Sequence, residues 1–125
     1  MELDKLMSAE QKMRIIQELV PGKQITLAHI IANPDDILYR KLGLDPAVEY
    51  SRTAIGIVTM SPAETAIIAG DIAIKASGAE LGFVDRFSGT LIVTGTISDV
   101  QASLTALVDY CRDTLGFSVC PITKT

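Results

Sequence analysis

The chain has 125 residues, a length that fits one domain with a single modest core. Apolar residues make up 48% of it but aromatic residues only 5%, with no Trp, so the core must come from Ile, Val, Leu and Ala, and few rings are available for stacking nucleobases. The formal net charge is -4, and the densest basic spot is the pair Arg40-Lys41, which excludes the cationic stripe of a nucleic-acid binder.

Met1–Lys12 is polar, lacks the apolar run of a secretory signal, and carries weak helical spacing at Leu3, Leu6 and Met7. It is expected to be a loose arm on a cytoplasmic protein. No apolar run is long enough to span a membrane, so no membrane partner is expected. Met13–Val20 has strand length and branched side chains, and it closes on the turn signal Pro21-Gly22. It has no obvious pairing partner within the chain.

Ile25–Ala32 reads as a strand. Asn33-Pro34-Asp35-Asp36 then opens a short helix over Pro34–Leu42. Asn caps, Pro suits the first helical position, the two Asp favour the positive helix end, and Gly43 stops it. Residues 44–52 are polar and Pro-bearing and read as a surface connection.

Thr53–Thr59 is an apolar strand. Ser61-Pro62-Ala63-Glu64 reads as a capping box for a helix reaching about Ser77. Ala63, Ala66, Ala69, Gly70, Ala73 and Ala76 would let that helix lie close to a sheet. Ala79–Asp85 and Thr90–Ile97 read as a hairpin about Phe87-Ser88-Gly89. Ser98-Asp99-Val100-Gln101 reads as a second capping box. The helix behind it repeats Val100, Leu104, Leu107, Val108, Cys111 and Leu115 on one stripe and stops at Gly116. Phe117–Ile122 reads as a last short strand. From Thr53 onward the order is β-α-β-β-α-β, the ferredoxin-like pattern. The expected class is α+β, an antiparallel-rich sheet with helices on one face.

Reactive chemistry is sparse. The one histidine, His29, falls mid-strand and reads as a packed or edge residue rather than a base. Cys111 lies on the apolar helix stripe, and Cys120 has no neighbouring cation in sequence to activate it. Both are expected as free thiols. Asp71 interrupts an apolar helix, Asp85-Arg86 suggests a local ion pair, and no metal-ligand spacing or phosphate loop is present. No catalytic residue, metal or cofactor is assigned.

Two blocks carry a resemblance. Ala54–Val100 (A-I-G-I-V-T-M-S-P-A-E-T-A-I-I-A-G-D-I-A-I-K through G-T-I-S-D-V) resembles the body of a bacterial microcompartment (BMC) shell domain. Val20–Pro34, V-P-G-K-Q-I-T-L-A-H-I-I-A-N-P, resembles the start of the circularly permuted shell proteins of ethanolamine and propanediol utilisation, which also have counterparts in choline compartments. With the closing C-P-I-T-K-T, the resemblance covers nearly everything after Lys12.

The resemblance implies a structural tile rather than an enzyme. The tile would be a homohexamer, flat, bent or helical, that joins other shell proteins in a bacterial microcompartment and limits metabolite passage. It divides the chain into an arm and barrel strand over residues 1–22 and a permuted shell domain over residues 23–125. Ala28–Leu42 is then a strand-helix tail moved to the front. Ile25–Ala32 and Phe117–Ile122 compete for one place in the sheet; the resemblance favours the first and leaves the second to extend or cover an edge.

By the same resemblance, Lys75 matches the lysine at the edge between hexamers, and Asn33 stands where an edge arginine is usual. Arg86, Phe87, Ser88 and Gly89 match the turn facing the six-fold axis, where smaller residues are common; the opening is expected to be narrower or differently charged. Arg14, Ile15, Ile16, Gln17, Glu18, Leu19 and Val20 match a leading strand that joins its counterparts in an axial barrel. The competing readings are a small-ligand regulatory domain on a ferredoxin-like scaffold, or an enzyme using Cys120 or His29.

Overall fold

The computed structural model describes residues 22–44 and 53–125. The arm, the leading strand Met13–Val20 and most of the 44–52 connection lie outside the described residues. In chain order the elements are β1 (Gln24–Ile31), α1 (Asp36–Lys41), β2 (Ala54–Ser61), α2 (Thr65–Ala76), β3 (Glu80–Asp85), β4 (Thr90–Gly95), α3 (Ile97–Asp113) and β5 (Thr123–Lys124).

The sheet order is β3-β4-β2-β1-β5. The first four strands are antiparallel to their neighbours, and β5 runs parallel to β1. Thus β1 takes the place beside β2 that the final strand of a βαββαβ unit fills. The strand expected at Phe117–Ile122 does not form. That segment touches β1 through one bridge, Gln24↔Ser118, and regular pairing comes only after it, at His29↔Thr123 and Ile30↔Lys124. Between these ties Val119, Cys120 and Ile122 pack on the core. The C-terminal residues form a strap that covers the outer edge of β1.

The larger core lies between the sheet and two helices. Ile25, Ala28 and Ile30 of β1, Ala54, Val58 and Met60 of β2, and Leu91 and Val93 of β4 line one face. Ala66, Ala69 and Ala73 of α2 meet them with Val100, Leu104, Leu107, Val108 and Cys111 of α3. Burying one such Leu stabilises by about 1.5–3 kcal/mol relative to exposure. Small side chains set the spacing: a Cβ on Gly56 would lie 2.7 Å from Leu104 Cδ1 and 2.8 Å from Val100 Cγ1. A register shift between Ile25 and Leu27 keeps Ile25 and Ala28 on one face, as a bulge does.

The helices are not all on one face. Tyr39 of α1 and Leu44 pack with Ile55 and Ile92 on the other side of the sheet. The Tyr39 hydroxyl also donates to the Thr53 carbonyl. The central strands β2 and β4 are apolar on both faces, so the second face needs its own cover, and the α1 segment supplies it. Leu44, expected in a surface connection, is therefore buried.

All three helix starts differ from the sequence reading. Asp35, not Asn33, caps α1; its Oδ1 accepts from Ile37 N at 3.1 Å. Ser61 stays paired in β2, and Thr65, Ala66 and Ile67 N–H groups donate three residues back to Pro62, Ala63 and Glu64. This tight entry leaves the expected capping box unformed. Thr96, not Ser98, caps α3 and accepts from Asp99 N at 3.1 Å.

Candidate functional site

The hairpin turn after β3 is held by its own side chains. Asp85 Oδ1 accepts from Phe87 N at 2.8 Å, and Oδ2 accepts from Ser88 Oγ at 2.8 Å. The Phe87 amide first, and then the Ser88 hydroxyl, hold the Asp85 carboxyl below the usual carboxylate range. Gly89 N donates to the Asp85 carbonyl at 2.9 Å, and the Gly89 carbonyl accepts from Met60 N at 2.9 Å. Gly89 has φ 75°, and a Cβ there would overlap the Met60 carbonyl oxygen. The turn is therefore clamped onto β2.

This clamp displays Arg86 and Phe87. Phe87 is 82% exposed. The Arg86 guanidinium lies 5.0 Å from its ring centroid, a cation–π contact. The Asp85–Arg86 ion pair suggested by the sequence is absent, because both Asp85 oxygens serve the turn.

Lys75 and Asn33 belong to the opposite end of the sheet. Ile31 pairs with Ile55, and Ala54 with Gly95, so the bend carrying Asn33 sits at the end where β2 begins. The helix α2 runs back along β2 and delivers Lys75 near the same end, since Glu80 then pairs with Thr94. At ~3.3 Å per residue, the length of β2 separates that end from the 86–89 turn by roughly 20–25 Å. Lys75 Nζ lies 2.7 Å from Asp71 Oδ2, an exposed i,i+4 pair worth only about 0.3–0.5 kcal/mol.

A further surface escaped the sequence reading. Ile67, Ile68 and Ile74 are 53%, 48% and 41% exposed, and with Asp71 and Lys75 they form one stripe of α2. The signal was available in A-I-I-A-G-D-I-A-I-K, where Ala66, Ala69 and Ala73 turn inward and Ile67, Ile68 and Ile74 outward, while Ile72 packs on the core. Leu81 and Phe83 on the edge strand β3 are also exposed. Contiguous exposed apolar residues mark contact surfaces.

His29 has a structural role. Its Nδ1 lies 2.5 Å from Thr123 Oγ1 and its Nε2 lies 2.9 Å from Thr125 Oγ1, which fastens the strap to β1. Cys111 is buried, and burial pushes its thiol up, away from the reactive thiolate. Cys120 is half-buried against the core. Among the described residues no group of three His, Cys, Asp or Glu could hold a metal ion. Among them, too, no helix is long and apolar enough to cross a membrane. A groove of about 220 Å³ between α3 and the strap is lined by Ile30, Gln101, Thr105, Ile122 and Lys124. Arg14, Ile15, Ile16, Gln17, Glu18, Leu19 and Val20 lie outside the described residues.

Comparison with known proteins adds to this geometry. The BMC domain family matches residues 54–123. The chain is 50% identical over 113 residues to the bacterial microcompartment shell protein EutS of Salmonella typhimurium, covering 90% of this chain and 97% of that protein. It is 51% identical over 111 residues to the shell protein CutR of Streptococcus intermedius, covering 89% and 91%. It is 49% identical over 112 residues to the shell protein PduU of Salmonella typhimurium, covering 90% and 93%. Among solved structures, a CutR flat hexamer aligns with TM-score 0.77 at 48% identity, covering 85% of this chain and 94% of that one. A CutR screw with a 41.9 Å pitch aligns with TM-score 0.74 at 48% identity, covering 84% and 100%.

Proposed function

This chain belongs to the BMC-domain family of bacterial microcompartment shell proteins, and from that membership we propose that six copies close into a tile and that tiles join edge to edge into a polyhedral shell. The role is structural, not enzymatic. The shell limits or gates metabolite passage into a compartment within the cytoplasm. The observation that carries the reading is half-identity over nine-tenths of the chain to shell proteins, one of them solved both as a flat hexamer and as a screw. Six copies of this chain accordingly close flat or step into a helix, since a heterologous contact does either depending on its rotation.

The parts divide the work. The Arg86-Phe87-Ser88-Gly89 turn surrounds the axis. Lys75 and Asn33 serve the rim between tiles; their position at the end of the sheet away from the turn supports this division. The exposed Ile67, Ile68 and Ile74 supply apolar area for contact between copies. Residues 1–22 form a separate arm and strand, and residues 23–125 form the permuted shell domain. Arg14–Val20 pairs with its counterparts into a barrel that covers the axis. An unpaired strand edge invites such association, and closure into a barrel removes the edge.

The test is native mass measurement with electron microscopy of the purified chain, without added ligand. Six-copy rings or helical arrays with six copies per turn are expected. A monomer or dimer at working concentration overturns the reading.

A further inference from the structure

We infer that Ser77 and Ser103 are positioning residues for the rim: their paired hydroxyls fix where the last turn of α2, and with it Lys75, stands on the tile. This rests on the reading above, that Lys75 serves the contact between tiles.

The joint draws on three elements. Ser77 closes α2, Asp99 and Ser103 lie in the first half of α3, and Ala79 leads into β3. The Ser103 hydroxyl donates to the Ala73 carbonyl at 2.8 Å. The Ser77 hydroxyl donates to the Asp99 carbonyl at 2.9 Å or to Ser103 Oγ at 2.8 Å, and Ser77 Oγ accepts from Ala79 N at 3.1 Å. The Ala73 carbonyl is among the last four of α2, a group for which a helix has no partners of its own. Ser103 is fully buried. A buried hydroxyl costs free energy that its bonds must offset, and an Ala at 103 would avoid that cost. Apolar packing therefore does not call for Ser103; the joint does.

Packing alone does not place α2. The helix meets the core through Ala66, Ala69, Gly70 and Ala73, with Ile72 at the margin. Such small groups interlock shallowly and burial has no direction, so this face lets the helix slide or turn. Hydrogen bonds are directional and weaken steeply as their angle bends. Here they hold positions 73 and 77, on either side of Lys75. Gly78 lets the joint close, since a Cβ there would lie 3.0 Å from Asp99 Oδ2. The Lys75 side chain pairs with Asp71, but Asp71 belongs to the same helix and does not fix Lys75 relative to the rest of the tile. Each tile repeats the contact around its rim, so a small misplacement of α2 is multiplied across the lattice.

The experiment compares array formation by purified full-length rings, read by pelleting and electron microscopy, with native mass measurement and thermal unfolding of every sample. Lys75→Ala sets the response to loss of the rim contact and should raise the concentration needed for arrays. Ser77→Ala and Ser103→Ala should leave six-copy rings intact and raise that concentration by about threefold or more, the size expected of residues that act through another. Ser77→Thr keeps the hydroxyl and should behave as the parent. Cys111→Ala controls for general loss of stability: it opens the same core near the other end of α3, and should lower the unfolding temperature without moving the array threshold. If S103A fails to fold, S77A is read alone, since Ser77 is only half-buried. Rings of the two alanine variants that form arrays as readily as the parent, or a C111A effect as large as theirs, overturn this inference alone. A threshold unchanged by K75A, or parent rings that form no arrays, overturns the rim reading with it. A chain that never forms six-copy rings overturns the proposed function as well.

Discussion

Position 89 needs glycine for two separate reasons. Its φ of 75° lies in the left-handed region, and a Cβ would overlap the Met60 carbonyl oxygen. Gly116 makes a control, since it has φ 73° but nothing within 4 Å of where its Cβ would be. Gly116→Ala should cost only the backbone strain, about 1 kcal/mol. Gly89→Ala should add the displacement of β2 or the turn and cost roughly 2–4 kcal/mol, combining strain and overpacking. Thermal unfolding of the two variants checks this, and equal losses would show that the Met60 contact is unimportant. The turn glycine was legible in the sequence because R-F-S-G lies between two strand patterns. Its contact with β2 was not, because that depends on how strands distant in sequence align. The Asp85 side chain was misread for a local reason: adjacency to Arg86 suggested an ion pair, yet a carboxylate also reaches the amide two residues on, and that short loop is the one formed.

Among the elements, the paired strands and the main helix stripes were readable from their periods. Val100, Leu104, Leu107, Val108 and Cys111 are all buried as the stripe required. Helix starts were less readable, because several nearby residues can cap and only the incoming strand selects among them. Ser61 remains in β2 opposite Gln24, so it is not free to cap α2. The outer edge of β1 presented a harder choice. Phe117–Ile122 has the composition of a strand, but Val119, Cys120 and Ile122 pack on the core and the segment makes one isolated bridge instead of continuous pairing. The strap then depends on a few ties: Thr125 N to the Ile30 carbonyl and Ala32 N to the Thr125 carbonyl, both at 2.9 Å, and the two threonine contacts of His29. Both ring nitrogens face hydroxyls, which donate or accept as needed, so the clasp works whichever nitrogen carries the proton. His29→Ala removes both contacts, each worth about 0.5–1.5 kcal/mol. Faster hydrogen exchange at the Ala32 and Thr125 amides is expected, with protection in α3 unchanged. Unchanged exchange at those two amides would mean that backbone pairing alone holds the strap.

For the whole molecule, the sequence made the permuted order legible through its two resembling blocks, while the burial of α1 on the second face depended on β2 being apolar on both sides. The same contacts define where the folded unit begins. Lys23 is already tied down, its Nζ donating to the Leu115 carbonyl at 3.3 Å and its carbonyl accepting from Ser118 N at 3.0 Å. Ile25 follows in the larger core. Every buried residue of the two clusters described here lies at or beyond Ile25, so removal of residues 1–20 takes away no described core contact. The expected product keeps its far-ultraviolet circular dichroism, unfolds within a few degrees of the full chain, and still assembles, because the isoleucine stripe of α2 and the 86–89 turn are untouched. What it loses is the proposed cover: averaged images of the rings should show central density in the full-length protein and an opening after deletion. A collapse of the fold, or rings with the same closed centre, would contradict the division between a self-sufficient domain and an axial cap.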